Sequence, residues 1–528
     1  MSEGIKNKII RTFVLIIFFI SFTSFNLLFA NSRDLGFEHW CDSLENDEII
    51  IKLKSDSSTL QAQSDFQIAP SYKKQFLANQ KNKDIQHLKK YVSDLELENI
   101  LDLEEETFNP DPKLLERKNK FRKSRARLNL DRIYSIKSKS KNYLANFIPK
   151  NQRKIYACQE IYKKIKKLEQ DPQVEYVIPN RKLKIQAEIA DDYFVNNAPN
   201  WPFNYGTQWG LKSINAEKAW SKTLGEKTIV AVIDSGVNYN HPDLWNKIWV
   251  NPAVVKDTNR DGKRSLDDLD RNRNKKIDSF EFKANALGFI TSTNSGKDPR
   301  DFVGHGTHVA GIIGAAADGQ GMVGVAPETK IMIIRVISSS GNITEKSIAK
   351  GLLIAAKYGA DVANLSMGTS YHLPLVYDAI KAVKDQMVIV AAAGNNNQYI
   401  ASYSRINERS FYPAAYPEVI SVAASTETNQ KAFFSNYGPA VDVTAPGGSD
   451  SRFEKNILST DITSDGYNRR IGTSMAAPYV TGVVALLISN KPHLSPTQVR
   501  EKIKNSAKDL DITDDLGSGL VDAENTLL

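Results

Sequence analysis

Ile229-Val230-Ala231-Val232-Ile233-Asp234-Ser235-Gly236-Val237 is a run of β-branched and small apolar residues that closes on an acid and a glycine. With no polar alternation, it has the pattern of a strand covered on both faces, as in a parallel sheet flanked by helices. Such a strand delivers Asp234 at its carboxyl end, the edge at which open α/β sheets carry their sites. Comparable apolar runs follow at Ile331 to Val336, Val362 to Leu365, Val388 to Ala392 and Val419 to Ala423, separated by helical stretches. The alternation predicts an α/β fold on a parallel sheet over residues 200–528.

A second stretch supplies a hydroxyl. Gly472-Thr473-Ser474-Met475-Ala476-Ala477-Pro478 leads into the run from Tyr479 to Ile488, which is apolar almost all round and so reads as a buried helix. The unpaired N–H groups and positive dipole end of its first turn favour an alkoxide or oxyanion at Ser474. Taken alone, the segment also reads as an ordinary helix cap. Gly304-His305-Gly306-Thr307-His308-Val309-Ala310-Gly311 then sets an imidazole among glycines ahead of another small-residue helix.

Acid, imidazole and hydroxyl together make a nucleophilic serine. The imidazole takes the hydroxyl proton and later returns it to the leaving group, while the acid orients the ring and stabilises its charged form. His308 would suit a metal pair with His305, but no Glu lies between them and no Cys occurs in this part of the chain. The zinc-protease pattern is therefore absent. Val388-Ile389-Val390-Ala391-Ala392-Ala393-Gly394-Asn395 adds a strand, a bend and an amide that can face developing negative charge.

The order Asp, His, Ser, with these motifs and the Asn395 segment, resembles the subtilisin-like serine proteases (subtilases) over roughly residues 200–525. The resemblance implies a secreted serine endopeptidase that works through an acyl-enzyme, with Asp234, His305 and Ser474 as its triad. His308 becomes a packed, hydrogen-bonded histidine, and Asn395 and the Ser474 N–H form the oxyanion hole. Ser366-Met367-Gly368 and Ala392-Ala393-Gly394 become the two walls of the pocket for the residue before the cut. Ser340 and Gly341 fall where the family pairs a backbone edge with extended substrate. Phe411 stands where the family often has glycine, so its ring is expected to shorten that pocket and favour small or medium side chains.

Between Asp234 and His305 lies an acidic insertion, residues 251–300. Asp257, Asn259, Asp261, Gly262 and Asp268 reproduce the spacing of an EF-hand loop, with oxygen side chains at alternate places, glycine sixth and an acid twelfth. Asp270, Asn272, Asn274, Asp278 and Glu281 form a second copy with Lys275 in the sixth place. By resemblance, a further calcium site takes Asp318 and Asp243 as side-chain ligands and Ala316, Gln320 and Met322 through their carbonyls. Structural Ca2+ is the cofactor expected, and a solvated acidic turn is the other reading of each loop.

The overall charge of +8 does not indicate nucleic acid, because residues 31–186 carry +8, residues 1–30 carry +2 and residues 187–528 carry −2. Lys6, Lys8 and Arg11 precede an apolar stretch ending near Ala30, so residues 1–30 read as a signal peptide. An uncleaved, outward-facing membrane anchor is the alternative. Residues 31–186 then read as a small α+β ferredoxin-like propeptide with a charged insertion over 60–130, and residues 187–528 as the catalytic domain. Its strands are expected at Asp47 to Lys54 and Val174 to Asn180, with a helix from Ile155 to Gln170.

The propeptide is expected to inhibit its own enzyme and to be cut off at Gln186–Ala187, giving a secreted or periplasmic monomer that acts on polypeptides. The two cysteines, Cys41 and Cys158, both precede the catalytic part, and the sequence leaves their pairing open. A cleft that binds peptides without cutting is the reading from another class. An intact set of Asp234, His305, Ser474 and Asn395 argues against it.

Overall fold

The computed structural model describes residues 44–54, 70–88, 95–99, 124, 128, 130–138, 153–185, 188–189 and 208–528, except 293–295, 339–340, 404–409, 450–454, 464–465 and 511–514. Residues 1–30 and Cys41 lie outside these.

The carboxyl-terminal unit is built on seven parallel strands, as the apolar runs predict. In spatial order they are Val443–Pro446, Ile420–Ser425, Val388–Ala392, Val362–Leu365, Ile229–Asp234, Lys330–Arg335 and Gly288–Ile290. The pleat divides Ile229–Asp234 between two cores. Val230 and Val232 join a cluster with the helices His305–Gly314 and Thr473–Asn490, and Ala231 and Ile233 join one with Glu345–Lys357 and Pro374–Val383. Burial on both faces explains why this strand carries no alternating polar residues.

The amino-terminal unit is an antiparallel sheet in the order Val174–Ile185, Leu44–Leu53, Ile133–Ser138, Leu95–Asn99, with helices Pro70–Leu88 and Arg153–Leu168. Strand, helix, strand, strand, helix, strand in that spatial order is a ferredoxin-like arrangement. Cys158, Ile161, Ile165 and Leu168 recur at helical spacing and pack on Ile49, Ile51 and Leu53, while Ile50 points the other way into the core of the larger unit. Cys158 is disulfide-bonded. Two elements, Pro70–Leu88 and Leu95–Asn99, lie inside the stretch read from sequence as a charged insertion.

Buried ion pairs join the units. Lys52 Nζ lies 2.9 Å from Asp378, which also accepts from the Tyr176 hydroxyl at 3.1 Å, and Lys346 Nζ lies 2.9 Å from Glu48. Burial pushes the Glu48 carboxyl up, but Lys346 and hydrogen bonds from Ser135 and Asn180 outweigh it and hold Glu48 below its ordinary value.

Glu345, fully buried at the head of its helix, accepts the Leu375 N–H at 2.7 Å, and burial pushes its carboxyl up to about 7. A carboxyl raised on folding contributes stability below its unfolded value of about 4.5 and loses it as pH rises through about 7. The loss is on the order of 3 kcal/mol. Glu345→Gln is therefore expected to flatten the fall of the thermal unfolding midpoint between pH 5 and pH 8. An unchanged pH dependence would contradict this assignment.

Candidate active site

Asp234 is the last residue of its strand and is fully buried. Its Oδ1 accepts the Ser235 N–H at 2.7 Å and lies 2.7 Å from His305 Nδ1. A carboxylate can only accept here, so Nδ1 carries the ring proton and Nε2 presents its lone pair as a base. Nε2 is buried without a hydrogen-bond partner among the described residues.

His305 opens its helix, and the preceding Gly304 has φ 87°, where an added Cβ would lie 2.6 Å from Asp461 and 2.7 Å from Arg470. Asp301 holds this entry in place: its carboxylate accepts from the N–H groups of Val303, Gly304 and Thr307 and from the Thr307 hydroxyl at 2.7–3.0 Å. Asp301 belongs to none of the motifs in the sequence. Its signal was an acid four residues before the histidine. His308 behaves as the family resemblance implied: Nε2 contacts the carbonyls of Ile457 and Asn468 at 3.1 and 3.2 Å, and burial pushes its pKa well below the ordinary value.

Ser474 is the second residue of helix Thr473–Asn490. Pro478 has no N–H to give to the Ser474 carbonyl one turn back. That carbonyl instead accepts from Ser366 Oγ at 2.9 Å, and Ser474 Oγ donates to the Ser366 carbonyl at 2.9 Å. This reciprocal pair locks the helix start to the residue after strand Val362–Leu365. The hydroxyl thus points to Ser366, while the acid and imidazole are already joined.

The N–H of Thr473 goes to Asn395 Oδ1, and those of Met475 and Ala476 go to the Gly472 carbonyl. The fourth orphan donor of the first turn is the Ser474 N–H. Asn395 Oδ1 accepts from both the Thr473 N–H at 2.9 Å and the Thr473 hydroxyl at 2.7 Å. A backbone N–H can only donate, so the amide orientation is fixed, with the Nδ2 donors at the other end. Gly394, at φ 103°, makes the bend and donates to Thr473 Oγ1 at 3.1 Å.

Ser366, Met367, Gly368, Ala392, Ala393 and Gly394 are all buried, and Phe411 is 5% exposed. A Cβ on Gly368 would lie 2.3 Å from the Phe411 ring, and one on Gly394 would lie 3.1 Å away, so the ring rests on both expected pocket walls.

The outer edges of this region are occupied by the chain's own strand. Val174–Ile185 pairs antiparallel with Met367–Gly368 (Ile185 opposite Met367, Lys184 opposite Gly368) and with Ile343–Thr344 (Leu183 opposite Ile343). Gly341 turns at φ 78° two residues before that second edge. Beyond Ile185, Glu188–Ile189 pairs with Ile471 and Arg470, just ahead of Gly472. Ser340, Gln186 and Ala187 lie outside the described residues.

The two acidic loops share one hydrogen-bond scheme thirteen places apart. Asp268 takes the N–H groups of Thr258, Asn259 and Ser265, and Glu281 takes those of Arg271, Asn272 and Asp278. Asp257 receives the Gly262 N–H, and Asp270 that of Lys275. Asp257 Oδ1 is a buried atom without a hydrogen-bond partner among the described residues. In the third region, Asp243 accepts from the Met322 N–H at 2.9 Å and the Tyr467 hydroxyl at 3.0 Å, and burial pushes its carboxyl up to about 6. Ala316 N–H binds the Asp243 carbonyl, and Asp318 accepts from the Gln320 N–H. Among the described residues, no group of three or more His, Cys, Asp or Glu side chains is gathered as a metal site.

The family model described as "Subtilase family" matches residues 225–522. A thermophilic serine proteinase of Bacillus sp. (strain AK1) is 34% identical over 65% of this chain and 70% of its own length. Subtilisin Savinase of Lederbergia lenta is 32% identical over 60% of this chain and 97% of its own. The structure of fervidolysin from Fervidobacterium pennivorans, a keratinolytic enzyme related to subtilisin, superposes with a TM-score of 0.56 at 24% identity, covering 92% of this chain and 61% of its own. That last likeness concerns the fold. With more than half its length matched by the family model, the chain belongs to the subtilases and is a serine endopeptidase.

Proposed function

We propose that the chain is a self-processing precursor of a secreted endopeptidase, with Ser474 as nucleophile, His305 as base and acid, and Asp234 orienting the imidazole. The carrying observation is the 2.7 Å Asp234–His305 contact, which leaves Nε2 as a buried base beside the serine helix. Rotation about the single χ1 of Ser474 turns its hydroxyl from the Ser366 carbonyl toward Nε2, an adjustment usual where catalytic contacts tighten only with substrate bound. Attack on the scissile carbonyl develops an oxyanion toward the Ser474 N–H and Asn395 Nδ2. His305 then protonates the leaving amine, and a water, activated in the same way, releases the acyl group.

The amino-terminal unit serves as the intramolecular inhibitor. Strand pairs at Leu183 to Ile185 and at Glu188–Ile189 support a path through the cleft on both sides of Ser474. The first register ends with Ile185 opposite Met367, the residue after Ser366, and the next bond but one in the sequence, Gln186–Ala187, is the one to be cut. Residues 1–30 act as the export signal, in keeping with a relative named as a minor extracellular protease.

Ser474→Ala is expected to leave the purified chain at full length and unlabelled by a fluorophosphonate, whereas the unmodified chain is cut after Gln186 and labelled once. Processing of pure Ser474→Ala would require another protease and would sink the reading. Phe411 shortens the pocket for the residue before the cut. Phe411→Gly should raise kcat/KM for peptides with Phe or Tyr there by roughly tenfold or more, and an unchanged preference in a peptide library would dismiss that role.

Calcium supplies structural cross-linking. The oxygen-only donor set and the orphaned Asp257 oxygen fit it in the first loop, and the buried acid Asp243 fits it beside Asp318. At about a hundred times its dissociation constant, a bound ion contributes about 2.7 kcal/mol. Excess chelator should therefore lower the thermal midpoint by a few degrees. Equal midpoints with calcium and chelator would remove the ion.

A further inference from the structure

The strand from the amino-terminal unit reaches the catalytic unit with one cation in a defined setting. Arg181 lies on Val174–Ile185, the strand that occupies the cleft edges, and its guanidinium carbon sits 5.4 Å from the centroid of the Tyr371 ring. Its Nη1 donates to the His372 carbonyl at 3.4 Å. Both partners follow Met367–Gly368, the edge that holds Lys184 and Ile185. Arg181 is therefore bound by the wall that continues outward from the pocket for the cut residue. It is not held by its own unit alone.

The inference rests on the register reading above. With Gln186 as the residue before the cut, Leu183 is the fourth from the bond and Arg181 the sixth. Leu183 is buried in the core of the catalytic unit, so the strand is anchored two residues inside the cation. We propose that the catalytic unit carries an accessory recognition site for an arginine six residues ahead of the cut bond, formed by the face of Tyr371 and the carbonyl of His372.

The chemistry selects guanidinium. A planar cation can stack on the ring and still donate in its plane to a carbonyl, which an ammonium does less well. Buried Glu345 supplies a charge of matching sign, since it interacts favourably with Arg181. Charge distribution agrees, since residues 31–186 carry +8 against −2 for residues 187–528. Once the amino-terminal unit has left, the same wall is open to substrates.

The test uses the full-length protein allowed to process itself, with active sites counted by fluorophosphonate. Three synthetic peptides spanning residues 179–191 carry Arg, Ala or Glu at position 181, and cut positions are read by mass spectrometry. Arg is expected to give roughly three- to tenfold higher kcat/KM than Ala, with Glu lowest, and the gap should narrow at high salt. Tyr371→Ala should cut the Arg peptide no faster than the Ala peptide while cutting the Ala peptide as the unmodified enzyme does.

Equal cleavage of all three peptides between Gln186 and Ala187 overturns the accessory site and leaves the register reading standing. An arginine preference that survives in Tyr371→Ala also overturns it. Cleavage elsewhere, or none, overturns the register reading and the proposal with it.

Discussion

One hydrogen bond organises the site: the carboxylate of Asp234 holding the imidazole of His305, across 71 residues of sequence and in full burial. Burying an acid and a base is costly unless they satisfy one another. The fold meets that cost by ending at the acid a strand that is buried from Val230 onward, and by beginning a fully buried helix at the base. Parallel strands all finish on one edge, so Ser366, Gly394 and Asn395 arrive there as well, each on the loop that leaves its strand.

The serine enters from the opposite direction, on a helix that packs beneath the sheet. A proline inside that helix removes one backbone donor, and Ser366 replaces it. Thr473 does similar work for Asn395, supplying both donors that fix its amide. These groups are positioned by hydrogen bonds from neighbouring loops to the start of the serine helix, which leave the Ser474 N–H and His305 Nε2 over for the chemistry.

Much of this was readable beforehand. Unbroken apolar runs identified the buried strands, because only a strand covered on both faces can dispense with polar alternation. The helix with Cys158, Ile161, Ile165 and Leu168 was readable from its spacing, within two residues at each end. Pro70–Leu88 was not readable, since its sequence is polar around nearly the whole circumference and carries no stripe to detect. Asp301 escaped for another reason: a single acid before a glycine looks like any loop residue until its four donors are seen. The hydroxyl orientation of Ser474 and the path of Val174–Ile185 into a second set of strands depend on long-range contacts, which no local pattern encodes.

That shared strand has a kinetic consequence. A break in the polypeptide between Ile185 and Glu188 would remove neither the ladder bonds at Met367–Gly368 and Ile343–Thr344 nor the buried pairs Lys52–Asp378 and Lys346–Glu48. Hydrolysis would convert one molecule into a tight two-piece complex, and the onset of activity would follow the lifetime of that complex, not the speed of bond cleavage. The first molecules to shed their fragment could digest those still bound to others, so a population would switch on after a lag and then abruptly.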